Sequence, residues 1–179
     1  QTWKYSNIIS SSNYHEIVDD ITKMPGAEWF SGAKLNFAEN LLRFRDDRPA
    51  IHYKRENSKI KTITYKHLYS SVEALSFSLR SIGVKKGDRV AGYISNIPEA
   101  IIAMLATSSI GAIWSSTSPD FGVKGVLDRF SQIQPKVLFA TSGYFYNGKY
   151  YDSLKNIHEM TREIKSLVQV VIINQREEN

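Results

Sequence analysis

The sequence predicts an α/β fold, a mostly parallel sheet flanked by helices. Two observations carry this. Short apolar runs of strand length alternate with helix-period segments four times between Pro49 and Ile173. The last of these runs, Leu167 to Ile173, is almost continuously apolar, as a parallel strand buried on both faces should be. Right-handed crossovers would then place helices on both sides of the sheet.

Taken in order, the first 48 residues differ in texture from the rest. Asn13 to Met24 has apolar residues at Ile17 and Ile21, a helical spacing that ends at Pro25-Gly26. Asn36 followed by Glu39 is a capping-box pattern and predicts a short helix from Phe37. The charged stretch Arg43 to Arg48 reads as a linker.

From Pro49 the pattern is regular. Ala50 to Tyr53 and Ile60 to Thr64 read as two strands joined through Glu56-Asn57-Ser58. Tyr65, Leu68, Val72, Leu75, Leu79 and Ile82 mark a helix stopped by Gly83. Arg89 to Ile94 is a strand, and Asn96 with Glu99 repeats the capping box before a helix running to Ser109. That helix is apolar on most faces and should be buried. Gly111 ends it, and Ala112 to Trp114 begins another strand.

Ser118-Pro119-Asp120 is expected to start the next helix, with Asp120 as its capping residue. Val123, Val126, Leu127, Phe130 and Ile133 form its apolar face, and Pro135 follows its end. After the strand Lys136 to Ala140, Asn147-Gly148 joins two aromatic runs as a type I′ hairpin. Leu154, Ile157, Thr161 and Ile164 mark the last helix.

Composition excludes several classes. The chain has 179 residues and no cysteine, hence no disulfide framework, thiol nucleophile or Cys-ligated zinc. Its longest purely apolar run, Ala100 to Ala106, is too short to cross a bilayer. No signal peptide opens it, so a cytoplasmic location without membrane partners is expected. A net charge of +5 is small for a nucleic-acid binder, and no nucleic-acid partner is expected.

Motifs narrow the chemistry further. The strand ends carry neither GxGxxG nor GxxxxGK[ST], so the backbone cradle of a Rossmann or P-loop phosphate site is missing. Asp120-Phe121-Gly122 spells the kinase magnesium triplet, but no glycine-rich loop or HRD segment precedes it. His15, His52, His67 and His158 lack metal-ligand spacing. Ser115 to Ser118 lacks the nucleophile elbow and an assignable base. Lys85 to Arg89 reads as a solvated basic turn.

Three ordered segments resemble the opening of the adenylate-forming (acyl-CoA synthetase) superfamily: Thr62 to Leu68, Gly83 to Val90, and Asn96-Ile97-Pro98-Glu99. Ala106 to Ala112 is similar to its next core motif. Trp29 to Asn40 resembles the N-terminal segment of the acetyl-CoA synthetase branch. Trp114 to Gly122 and Val126 to Phe130 look like the acetoacetate-activating members of that branch. The resemblance implies an N-terminal segment over 1–48 and the first part of an AMP-binding domain over 49–179. It also implies ligation of acetoacetate to CoA through an acyl-adenylate, with ATP, CoA and Mg²⁺ as cofactors.

In the family the phosphate loop, the ribose-binding aspartate and the catalytic lysine lie further along the chain. No catalytic or metal residue is therefore expected within this stretch, which by itself should be inert and bind none of these cofactors tightly, lacking its C-terminal remainder. The resemblance places two CoA contacts here. One is the loop Ser118, Pro119, Asp120 and Phe121, near the adenine. The other is Lys149, near the 3′-phosphate, whose usual basic partner three positions earlier is Tyr146 here. The rival reading is a stand-alone interaction module, whose last strand would carry charge or proline along its open edge.

Overall fold

The computed structural model describes residues 2–56 and 58–176. The chain divides into two compact units between Arg43 and Phe44.

The first unit holds α1 (Thr2–Tyr5), β1 (Glu16–Val18), β2 (Trp29–Ser31) and α2 (Phe37–Leu41). The helix expected over Asn13 to Met24 is instead one arm of a hairpin. β1 pairs antiparallel with β2, Glu16 opposite Ser31 and Val18 opposite Trp29. The reason lies in Asp19 and Asp20. The Asp20 carboxylate accepts from the Thr22 amide and hydroxyl, and the Asp19 carboxylate accepts from the Glu28 amide at 2.8 Å. Short acidic side chains that bond nearby backbone in this way compete with helix formation. The rings of Trp3, Tyr14 and Phe30 lie 5.0–5.4 Å apart and form a half-buried cluster in this small unit. α2 starts where expected: Asn36 caps it by accepting from the Glu39 amide.

The second unit begins with the antiparallel pair β3 (Pro49–Tyr53) and β4 (Lys61–Thr64), then α3 (Tyr65–Ser81). There follow β5 (Arg89–Tyr93), α4 (Pro98–Ser109), β6 (Ile113–Thr117), α5 (Val123–Ile133) and β7 (Val137–Thr141). The hairpin β8 (Gly143–Tyr146) and β9 (Lys149–Asp152) leads to α6 (Leu154–Glu163) and β10 (Gln169–Ile173). Four strands form one parallel sheet in the order β10-β7-β5-β6.

Strand alternation explains the two layers. Ala91, Tyr93, Leu138 and Ala140 face a core shared with Val126 and Phe130 of α5 and with Ile157 and Met160 of α6. Val90, Gly92, Val137 and Phe139 alternate with them and so face the opposite side. There the Trp114 and Phe139 rings are 6.1 Å apart, and a Cβ on Gly92 would lie 2.8 Å from Trp114. α3 and α4 pack on each other, and α4 packs on β6.

Three expectations are corrected. α4 takes Ile97, not Asn96, as its cap residue, with no side-chain cap bond. Pro98 explains this: proline suits the first helical turn and forces the residue before it to be extended, and Ile97 sits at φ −125°, ψ 159°. α5 begins at Val123 with Gly122 as cap, so Asp120 is not a helix cap. β10 is an edge strand rather than one buried on both faces, with Ile172 45% exposed.

At the amino ends of the strands the basic turn keeps Lys85 and Lys86 exposed, as expected, while Asp88 and Arg89 fasten it to the sheet. The Asp88 carboxylate accepts from the Lys85 amide at 2.8 Å and pairs with Lys136 at 3.1 Å. Arg89 donates to the carbonyls of Ile133 and Gln134.

Candidate functional site

The chain runs from β5 outward to β6, then returns across β5 to β7 and β10. Right-handed crossovers on opposite faces make the carboxyl ends of β5 and β7 the place where the strand order reverses, which in such sheets opens a crevice for ligands. The loop 118–121 leaves β6, the neighbour of β5 on its other side.

A buried phenol shapes that loop. Tyr93, the last residue of β5, is fully buried. Its hydroxyl donates to the Pro119 carbonyl at 2.6 Å and lies 3.2 Å from the Phe121 carbonyl. The Asn156 side-chain amide, from α6, donates to the same hydroxyl at 3.4 Å. The loop closes on itself where the Phe121 amide donates to the Ser118 carbonyl. Pro119 is buried, while Ser118, Asp120 and Phe121 are exposed. The Arg129 guanidinium sits 4.8 Å over the Phe121 ring.

The charge of Asp120 acts on two phenols. Burial pushes the Tyr93 phenol up, against the opposing bond from Asn156, and the charges of Tyr144 and Asp120 push it further. Burial also raises Tyr144, followed by Asp120 and Tyr151. The loop after β6 and the hairpin after β7 therefore share one electrostatic neighbourhood.

The hairpin has the form its sequence predicts. Asn147 and Gly148 both take positive φ, 51° and 73°, the type I′ requirement. Tyr144 pairs with Tyr151 and Tyr146 with Lys149, so these four share one face. The Tyr144 and Tyr151 rings stack at 5.3 Å and 15°. Lys149 is exposed next to the tip, on the same face as the phenol that senses Asp120.

The tip is held from a distance. The Glu56 carboxylate accepts from the Asn147 and Gly148 amides, both at 2.9 Å. At the hairpin base, Ser142 ties β7 to the segment after β10. Its hydroxyl accepts from the Gln175 amide at 2.9 Å and lies 3.2 Å from the Tyr150 hydroxyl.

Residue by residue, the structure joins Ser118 to Phe121 into one turn and sets Lys149 on the hairpin after β7. Sequence reading missed Tyr93, Asn156 and Glu56. Tyr93 carries a signal: a tyrosine ending an apolar strand needs a partner for its buried hydroxyl. Glu56, 91 residues from its partner, carries none. Ser115 to Thr117 belong to β6. Among the described residues no three His, Asp or Glu side chains gather to hold a metal. Cationic side chains, an aromatic face and an ordered loop suit contact with a ligand rather than chemistry upon it.

Comparison with known proteins agrees with this architecture. The AMP-binding enzyme family model matches residues 37–179. The chain is 49% identical over 176 residues to the acetoacetyl-CoA synthetase of Rattus norvegicus, covering 96% of this chain and 26% of that protein. It is 39% identical over 180 residues to malonamoyl-CoA synthetase vrtB of Penicillium aethiopicum, covering 97% and 25%. The structure of acetoacetyl-CoA synthetase from Streptomyces lividans superposes with a TM-score of 0.92 at 41% identity, over 99% of this chain and 28% of that one. The chain thus spans about a quarter of the length of the relatives it matches.

Proposed function

Because this chain belongs to the AMP-binding enzyme family, we propose that it forms the N-terminal part of an ATP-dependent acid–CoA ligase whose acid is acetoacetate. The observation that carries the proposal is the identity of 49% to an acetoacetyl-CoA synthetase, against 39% to a malonamoyl-CoA synthetase. The carboxylate attacks the ATP α-phosphate, releasing pyrophosphate, and the CoA thiol then displaces AMP from the acyl-adenylate. In this reading residues 1–48 are the branch-specific N-terminal segment and 49–179 the first part of the AMP-binding domain.

The contribution of this stretch is to CoA rather than to adenylation. The loop Ser118 to Phe121 offers its backbone and the Phe121 ring to the adenine, and Lys149 offers a cation to the 3′-phosphate. In this reading the phosphate loop, the ribose-binding aspartate and the catalytic lysine come from further along the full-length protein, and the 179-residue chain alone is catalytically inert. The exposed apolar residues Val168, Ile172 and Ile113, beside or on the two edge strands, favour a sheet continued by further strands over a stand-alone module. No helix among the described residues is long and apolar enough to cross a membrane. The reading has the enzyme working on small molecules in the cytoplasm, without nucleic acid.

The test is product formation by the full-length protein. With ATP and CoA it should turn acetoacetate into its thioester at a kcat/KM well above that for acetate. Equal use of acetate would overturn the substrate assignment.

A further inference from the structure

We propose that Tyr93 is a positioning residue for the CoA step, setting the course of the 118–121 loop through its buried hydroxyl. The inference rests on the reading that this loop meets CoA. Tyr93 is drawn into the core by its ring, which packs with Val126, Phe130 and Ile157. Its hydroxyl emerges where the loop passes and meets the carbonyls of Pro119 and Phe121. Those two carbonyls flank Asp120. The single phenolic proton goes to the nearer carbonyl, that of Pro119, with the Phe121 carbonyl 3.2 Å away. The backbone between them is held, while the Asp120 side chain is left outside and exposed.

The anchor is firm for a physical reason. A buried hydroxyl that loses its acceptors, or buried carbonyls that lose their donor, bear the full desolvation penalty. Asn156 donates to the hydroxyl oxygen, which turns the single phenolic proton toward the loop. The fastening thus joins three elements: the end of β5, the loop after β6, and α6. The Tyr93 hydroxyl bonds to the loop and to α6, so the effect of Tyr93 passes through the loop. It should touch thioester formation and spare adenylation.

The experiment compares full-length parent, Tyr93→Phe and Asn156→Ala. Phe keeps the core ring and removes only the donor. Three quantities are read: amide hydrogen exchange at residues 120–122, the KM for CoA, and acetoacetate-dependent ATP–pyrophosphate exchange. For Tyr93→Phe the expected result is faster amide exchange in the loop and a KM for CoA raised about fivefold, with pyrophosphate exchange unchanged. Asn156→Ala should move the same two quantities by about twofold, because its bond is longer.

Unchanged amide exchange in both variants overturns the positioning role. Equal losses in both half-reactions also overturn it, since they mark a general structural part. Faster amide exchange with an unchanged KM for CoA leaves the fastening in place and overturns the reading that the loop meets CoA.

Discussion

Glu56→Ala should free the tip of the Lys149 hairpin without unfolding the protein. The Glu56 carboxylate holds the amides of Asn147 and Gly148 at 2.9 Å each. A hydrogen bond to a charged group contributes about 1.5 kcal/mol at the low end, the end that suits an exposed pair, so two give about 3 kcal/mol. Ordering the glutamate side chain opposes this by about 1.5 kcal/mol. The net, about 1.5 kcal/mol, corresponds to roughly tenfold in the local opening equilibrium. Native-state hydrogen exchange followed by NMR should therefore show both amides exchanging about tenfold faster in Glu56→Ala. Glu56→Gln keeps one acceptor oxygen and should fall between. Because Glu56 is exposed, the global melting temperature should hardly move. Unchanged exchange at Asn147 and Gly148 would refute the reasoning, as would a fall in global stability that accounts for the faster rates.

Lys149→Ala in the full-length protein should raise the KM for CoA about tenfold and leave the KM for dephospho-CoA unchanged; steady-state kinetics with both thiols checks this. Gly143→Ala would set a Cβ on the Tyr151 carbonyl oxygen and the Tyr150 hydroxyl. Backbone there cannot yield, so urea denaturation should show a loss of about 2 kcal/mol. The Asp88 carboxyl is held below its ordinary range by the Lys85 amide first and then by Lys136. Its stabilisation is complete above about pH 4, the unfolded value, and is lost as pH falls through the lower folded value. Asp88→Asn should thus melt below the parent at neutral pH, with the gap closing below about pH 4.

Much of the second unit was legible because local and global preferences agree there. The apolar period of Tyr65 to Ile82 and the Asn147-Gly148 turn each point to the structure observed. The failures share a cause: a side chain or neighbour outvoted the local pattern. Asp19 and Asp20 turned the Ile17 and Ile21 spacing into a hairpin. Pro98 moved the start of α4 past Asn96. The Tyr93 hydroxyl held 119–121 out of α5, leaving Gly122 to cap it. The candidate site was legible as positions but not as an assembly. Ser118 to Phe121 and Lys149 could be marked from resemblance, whereas the groups that place them, Tyr93 and Glu56, act across 26 to 92 residues.

The most direct test of the account is acid-dependent ATP–pyrophosphate exchange, measured side by side for the full-length protein and for the 179-residue chain. The account predicts exchange stimulated by acetoacetate in the full-length protein and none above background in the chain alone. Exchange by the chain alone, or a full-length protein indifferent to acetoacetate, would contradict it.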